Sequence, residues 1–236
     1  MTGSRYLADL SWPEVEARAA AGAILAVPVG ATEQHGPHLP LSTDSDIAVA
    51  LCERLAAARD DVLIAPVVAY GSSGEHAGFA GTLSIGQGVT ELLLVELGRS
   101  AGDTFVRVLL VSAHGGNSAP VARAVSRLRG EGRDVFVYQP RWDGHPHAGR
   151  PETSMLLALR PDMVRMECAE SGDERQLADI LPALRAGGVR AVSPNGVLGD
   201  PCAANSAEGR VLLDALSSEL AADVTEWLSP AVRSST

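Results

Sequence analysis

Ala23-Ile24-Leu25-Ala26-Val27-Pro28-Val29 runs through Gly30-Ala31-Thr32 into Glu33-Gln34-His35-Gly36-Pro37-His38-Leu39-Pro40-Leu41-Ser42-Thr43-Asp44. Seven consecutive apolar residues are strand-sized, and an unalternating run of that length reads as a strand buried on both faces. Beyond the polar loop, Ile47, Ala50, Leu51 and Leu55 keep helical spacing over 44–58. The same unit recurs along the chain. Strands are predicted at 62–65, 106–112 and 135–138, with helices at 89–100 and 119–129 between them. Alternation of strand and helix predicts a mostly parallel α/β sheet sandwiched between helices, in one domain covering 1–236 with short flexible ends at about 1–6 and 230–236.

Ser11-Trp12-Pro13-Glu14 reads as a capping box opening a helix to about residue 21. The final helix is predicted over 206–228, capped by Asn205 and Glu208. A short helix carrying Glu152 should stop at Pro161, and 173–188 reads equally well as helix or loop. The glycine-rich segment 71–88 is too long for a simple connection, which points to function.

Ligand-type side chains gather where strands end. Glu33 and His35 lie two apart, so in extended backbone both project to one side, and Asp44 returns at the next helix start. His114 follows the third strand in His114-Gly115-Gly116-Asn117, and His147 and Glu152 follow the fourth in His147-Ala148-Gly149-Arg150-Pro151-Glu152-Thr153-Ser154. Loops at the carboxyl edge of a parallel sheet converge on one crevice. Imidazoles mixed with carboxylates suit Zn(II), Fe(II) or Mn(II), and five ligands with three carboxylates exceed what one open ion needs, which favours two bridged ions. Taken alone, Asp44 suits a helix cap as well, and Asp46 is the nearest alternative carboxylate.

Other residues have more than one reading. His147 can shuttle a proton or orient Glu152, and Asn117 can cap a helix or donate to substrate. Glu75 and His76 divide between substrate contact and subunit packing; His38 and His145 read as structural. Arg150 or Arg141 could pair with a substrate carboxylate.

Composition excludes several chemistries. All 19 basic residues are Arg, so Schiff-base and phosphate-loop lysine chemistry are absent, and a net charge of −10 argues against a nucleic-acid partner. No apolar run reaches membrane-spanning length, and Met1 to Arg5 carries no secretory signal. Three scattered cysteines make a disulfide framework unlike this chain and the cytoplasm the default.

These segments resemble the creatininase (creatinine amidohydrolase) family: the Glu-x-His…Asp stretch, the His-Gly-Gly-Asn turn and the His-Ala-Gly-x-x-Glu-Thr-Ser turn, in that order. Tyr70-Gly71-Ser72-Ser73-Gly74-Glu75-His76 and Gly196-Val197-Leu198-Gly199-Asp200-Pro201 resemble a branch acting on a modified precursor peptide in redox-cofactor biosynthesis. The resemblance implies a creatininase-like three-layer α/β/α fold, a homo-oligomer and two divalent ions, Fe(II) with Zn(II), two Zn(II), or Mn(II) with Zn(II). Asp44 would bridge them, Glu33 and His114 would hold one, and His35 and Glu152 the other. It implies release of a C-terminal Val-Tyr dipeptide; amide or formamide hydrolysis on a small molecule, and noncatalytic metal-stabilised binding, are the alternatives. Creatininase itself carries a carboxylate two residues after the histidine matching His114, where this chain has Gly116.

Overall fold

In the computed structural model, residues 3–145 and 147–229 are described. Four parallel strands, β1 Ile24–Val29, β2 Val62–Ile64, β3 Arg107–Ser112 and β4 Asp134–Tyr138, form a sheet ordered β2-β1-β3-β4. Every side chain of β1 is buried, as its unalternating sequence requires of a central strand covered on both faces. The two faces separate by the period of two. Ile24, Ala26, Leu109 and Val111 pack with α2 (Thr43–Ala58), α5 (Arg150–Leu159) and α7 (Ser206–Leu228). Leu25, Val27, Val108 and Leu110 pack with α1 (Trp12–Ala20), α3 (Gly86–Ala101) and α4 (Ser118–Gly130). Each fully buried leucine in these layers, Leu109 among them, contributes roughly 1.5–3 kcal/mol of burial free energy.

Local signals set the element ends. Glu14 accepts the Ser11 backbone N–H at 2.7 Å, and Asn205 Oδ1 accepts the Glu208 backbone N–H at 3.0 Å. Helix α5 stops at Leu159, because Arg160 precedes Pro161 and takes an extended φ of −143°. The ambiguous 173–188 region forms most of α6 (Leu177–Val192), bent at Gly188.

Tyr6 bridges Ile64, whose N–H donates to the Arg5 carbonyl at 2.8 Å, so the chain just before α1 pairs with β2. The expectation for 230–236, like that for Met1 and Thr2, lies outside the described residues. Trp142 is partly buried against the core cluster that includes Met155 and Leu156 of α5 and Leu213 and Leu216 of α7. No helix among the described residues is long and apolar enough to cross a membrane.

Candidate metal centre

Four loops and two helix starts converge past the carboxyl edge of the sheet. The β1 loop supplies Glu33 and His35, the first turn of α2 Asp44, the β3 loop His114, and the β4 loop His147 with Glu152 at the start of α5. All are buried. The glycine-rich segment adds His76, also buried, and half-buried Glu75.

Two triplets of donor atoms share Asp44: Glu33–Asp44–His114 and His35–Asp44–Glu152, each with its ligand atoms within 4.8 Å of one another. Asp44 Oδ1 lies 3.3 Å from His35 Nε2, and Oδ2 lies 3.4 Å from His114 Nδ1. One carboxylate therefore faces both sets. A third group, Glu33–His35–His147, spans them. Ser42 rather than Asp44 occupies the cap position of α2, so the capping reading is not the one realised. Asp46 is drawn off by Arg160 at 2.9 Å and Ser42 at 2.8 Å.

The donor set fits divalent cations. Both Glu33 oxygens, His35 Nε2 and Asp44 Oδ2 are buried without hydrogen-bond partners, a costly state unless something charged sits among them. His114 Nε2 lies 2.9 Å from the Ser72 carbonyl; a proton there leaves Nδ1 as the lone-pair nitrogen facing Asp44. His35 Nδ1 similarly meets the Glu33 carbonyl at 3.2 Å, which frees Nε2. In Glu152, Oε2 accepts the Ala148 N–H at 2.5 Å. Ala148 is the positive-φ non-glycine residue among those described, at +52°, so backbone strain accompanies the support of this carboxylate.

Electrostatics follow from burial. Burial pushes the Glu33 carboxyl up to about 8, against the pull of His114, and the Glu152 carboxyl up to about 7, against the pull of His35. Asp44 is also buried, but His35 and His114 outweigh that and hold its carboxyl below the usual range. Burial opposes charge on His35, yet Asp44 carries its imidazole up to about 10. Burial and neighbouring His35 push His147 well below its ordinary value, and burial pushes His76 down to about 3. Protons hold together a carboxylate–imidazole cluster whose geometry suits cations.

Gly116 explains this chain's departure from the creatininase pattern. A Cβ there would come under 3.0 Å from Glu75 Oε1, the Ser72 carbonyl and His114 Nε2, so no carboxylate side chain fits that position. Glu75 reaches the same place from the glycine-rich segment, its Oε1 3.8 Å from His114 Nε2.

The other candidate residues have the following surroundings. Asn117 is buried with both amide ends used, Oδ1 accepting from Ser72 N and Nδ2 donating to the Gly30 carbonyl, each at 2.9 Å. It occupies the N-cap position of α4, but its side chain ties two loops together instead of bonding the helix end, and it does not face solvent. Arg150 is exposed and donates from Nε to Glu208 at 2.8 Å; Arg141 is exposed. His38 Nε2 meets Thr153 Oγ1 at 2.9 Å, and His145 Nδ1 accepts from Asp200 N at 3.0 Å. Gln34 went unnoticed in the sequence: its amide touches His76 and His147, and its only sequence signal is its place between Glu33 and His35.

A buried carboxylate–imidazole pair of candidate metal sites at the carboxyl edge of a parallel sheet characterises this α/β protein, and hydrolases are the class it resembles. The family model described as "Creatininase: Creatinine amidohydrolase" matches residues 8–224, and the chain belongs to that family. It is 46% identical over 219 residues to the mycofactocin precursor peptide peptidase of Mycobacterium tuberculosis (strain CDC 1551 / Oshkosh), covering 86% of this chain and 85% of that one. It is 48% identical over 207 residues to the protein of that name from Mycolicibacterium smegmatis, covering 85% and 84%. Three solved creatininases, one a Zn-Zn type and one designated "Creatininase Mn", superpose with TM-scores of 0.83, 0.82 and 0.81 at 27%, 25% and 26% identity. Each covers 97% of this chain and 100% of its own.

Proposed function

We propose that this chain is a dinuclear metal-dependent peptidase that releases the C-terminal Val-Tyr dipeptide from the modified mycofactocin precursor peptide. The observation that carries this reading is the pair of buried candidate ligand triplets sharing Asp44, in a chain 46–48% identical to proteins named mycofactocin precursor peptide peptidase. Glu33, Asp44 and His114 would hold one divalent ion, and His35, Asp44 and Glu152 the other. A bound pair supplies Lewis acidity, activating water near neutral pH and polarising the scissile carbonyl. Zinc and manganese have support from the solved relatives; iron rests on the family resemblance alone.

His147 is the proton carrier of the reaction. Burial keeps its imidazole neutral at rest, and Nδ1 lies 3.7 Å from Glu33 Oε1, inside the cluster. It takes a proton from the attacking water at Nδ1 and returns it to the leaving nitrogen as the C–N bond breaks, which balances the hydrolysis with one group. Its Nε2–H rests on the Gln34 backbone carbonyl at 2.9 Å, a contact that stabilises the imidazolium formed in between. Half-buried Glu75, whose Oε1 lies 3.8 Å from His114 Nε2, is our candidate for a group that meets substrate. Homo-oligomerisation and a cytoplasmic location belong to the same reading and rest on family resemblance and composition.

The test is to load the purified protein with Zn(II), Mn(II) or Fe(II) and incubate it with precursor peptide ending in Val-Tyr, with creatinine in parallel, reading products by mass spectrometry. Release of Val-Tyr in at least one metal form is expected. Intact peptide alongside creatine formation would transfer the function to a creatininase-type amidohydrolase, and bound metal with no turnover on either would indicate a binding protein.

A further inference from the structure

The side chain of Gln34 sits among hydrogen-bonding groups whose accounts close in one way. Oε1 accepts the Gly36 backbone N–H at 2.8 Å, and because that N–H can only donate, the orientation of the amide is fixed and Nε2 carries its two hydrogens. Three groups lie within reach of Nε2: His76 Nδ1 at 2.8 Å, His147 Nε2 at 3.0 Å and the Gly196 carbonyl at 3.1 Å. Two hydrogens cannot serve three acceptors. His147 Nε2 also lies 2.9 Å from the backbone carbonyl of Gln34 itself.

If His147 Nε2 accepted from the amide, that backbone carbonyl would face a lone pair, and either the Gly196 carbonyl or His76 Nδ1 would lose its donor. If His147 Nε2 is protonated, it donates to the Gln34 carbonyl, and the amide hydrogens go to His76 Nδ1 and Gly196. The three acceptors around Gln34, His76 Nδ1 and the Gly196 and Gln34 carbonyls, are then all paired, the arrangement that buried polar groups favour. His76 must then hold its proton on Nε2, 3.3 Å from Glu33 Oε1, while His147 keeps a lone pair on Nδ1, 3.7 Å from the same oxygen.

We infer that Gln34 is a positioning residue that fixes both histidines in the Nε2–H tautomer but grips them by opposite nitrogens, so that His76 presents a hydrogen and His147 a lone pair to Glu33. The two rings, 4.4 Å apart between centroids, are chemically similar and would otherwise be interchangeable. Held this way they divide the work. His147 alone can receive a proton from the cluster side, and His76, whose Nε2–H lies 3.3 Å from Glu33 Oε1, can only offer a hydrogen there. The division of proton roles rests on the peptidase reading; the tautomers do not.

The experiment is ¹⁵N-histidine NMR on the full-length metal-free protein, where long-range ¹H–¹⁵N couplings distinguish the tautomers of His76 and His147. Both should be Nε2–H in the wild type; an Nδ1–H form of either ring overturns the inference. In Gln34→Glu the new carboxylate can only accept, so His76 should switch to Nδ1–H while His147, bonded to the backbone, should not change. Should that variant fail to fold, Gln34→Met reads the same point: His76 should become a tautomer mixture with His147 unchanged. An unaltered single His76 tautomer in the folded variants refutes the positioning role. On the metal-loaded enzyme the folded variant should lose about 10–100-fold in kcat with a smaller change in KM. Correct tautomers in a protein that cleaves no peptide would sink the peptidase reading and leave this one standing.

Discussion

Gly116→Ala places one methyl group where three others already meet. A Cβ at this position falls under 3.0 Å from Glu75 Oε1, from the Ser72 carbonyl and from His114 Nε2. Glu75 can swing outward, being half exposed, but the Ser72 carbonyl is backbone and the His114 ring is buried. Relief must come from moving the ring off that carbonyl, which loses the 2.9 Å hydrogen bond. Overpacking costs about 1–3 kcal/mol and the lost hydrogen bond about 1 kcal/mol more, so the folded state should lose about 2–4 kcal/mol. At roughly 2–4 °C per kcal/mol for a chain this size, the Tm of the metal-free protein should fall by about 4–16 °C. Since the moved ring belongs to the Glu33–Asp44–His114 triplet, metal counting after dialysis should show one ion weakened and the other retained. Adding Glu75→Ala removes one of the three collisions and should restore little. A Gly116→Ala protein with unchanged Tm and full metal content would refute the account of why this position is glycine.

Asp44→Ala should strip both ions in the same metal count, because its two oxygens face separate triplets; two tightly held ions in that variant would end the bridging assignment. For the metal-free protein, burial raises the Glu33 and Glu152 carboxyls to about 8 and about 7, and Asp44 raises His35 to about 10. The folded state therefore holds protons that the unfolded chain has released, and stability should fall as pH rises from about 6.5 to 8, where the lowered histidines no longer oppose the trend. Thermal unfolding with chelator should show this decline, zinc should flatten it by replacing the protons, and a metal-free Tm rising over that range would contradict the assignment. Arg150→Ala should change stability by no more than about 1 kcal/mol, since its pair with Glu208 is exposed, and should leave intact any preference for a free over an amidated peptide terminus; loss of that preference would make Arg150 the carboxylate anchor.

The alternation of apolar strands with helical spacing contains the α/β/α architecture, since period and length determine which faces must be buried; the predicted ends of β3, β4 and α7 lie within one residue of those observed. The five ligand-type residues were legible for a similar reason: buried acids and imidazoles at strand ends have few structural uses, and the sheet's topology sends such loops to one edge. What sequence could not supply was the pairing of atoms across loops distant in the chain. Asp44 reads as a helix cap until the fold buries it between His35 and His114, and Asp46 reads as a ligand until Arg160, 114 residues on, claims it. Arg150 looks free until α7 brings Glu208 beside it, and Asn117 looks available until Gly30 and Ser72 close on its two ends. Gln34 carries no charge and matches no ligand pattern, so its grip on His76 and His147 exists only where loops from residues 34, 76, 147 and 196 meet. Residue type and local period are properties of the chain, but a hydrogen bond's direction depends on which neighbours compete for it, and tertiary packing alone assembles those neighbours.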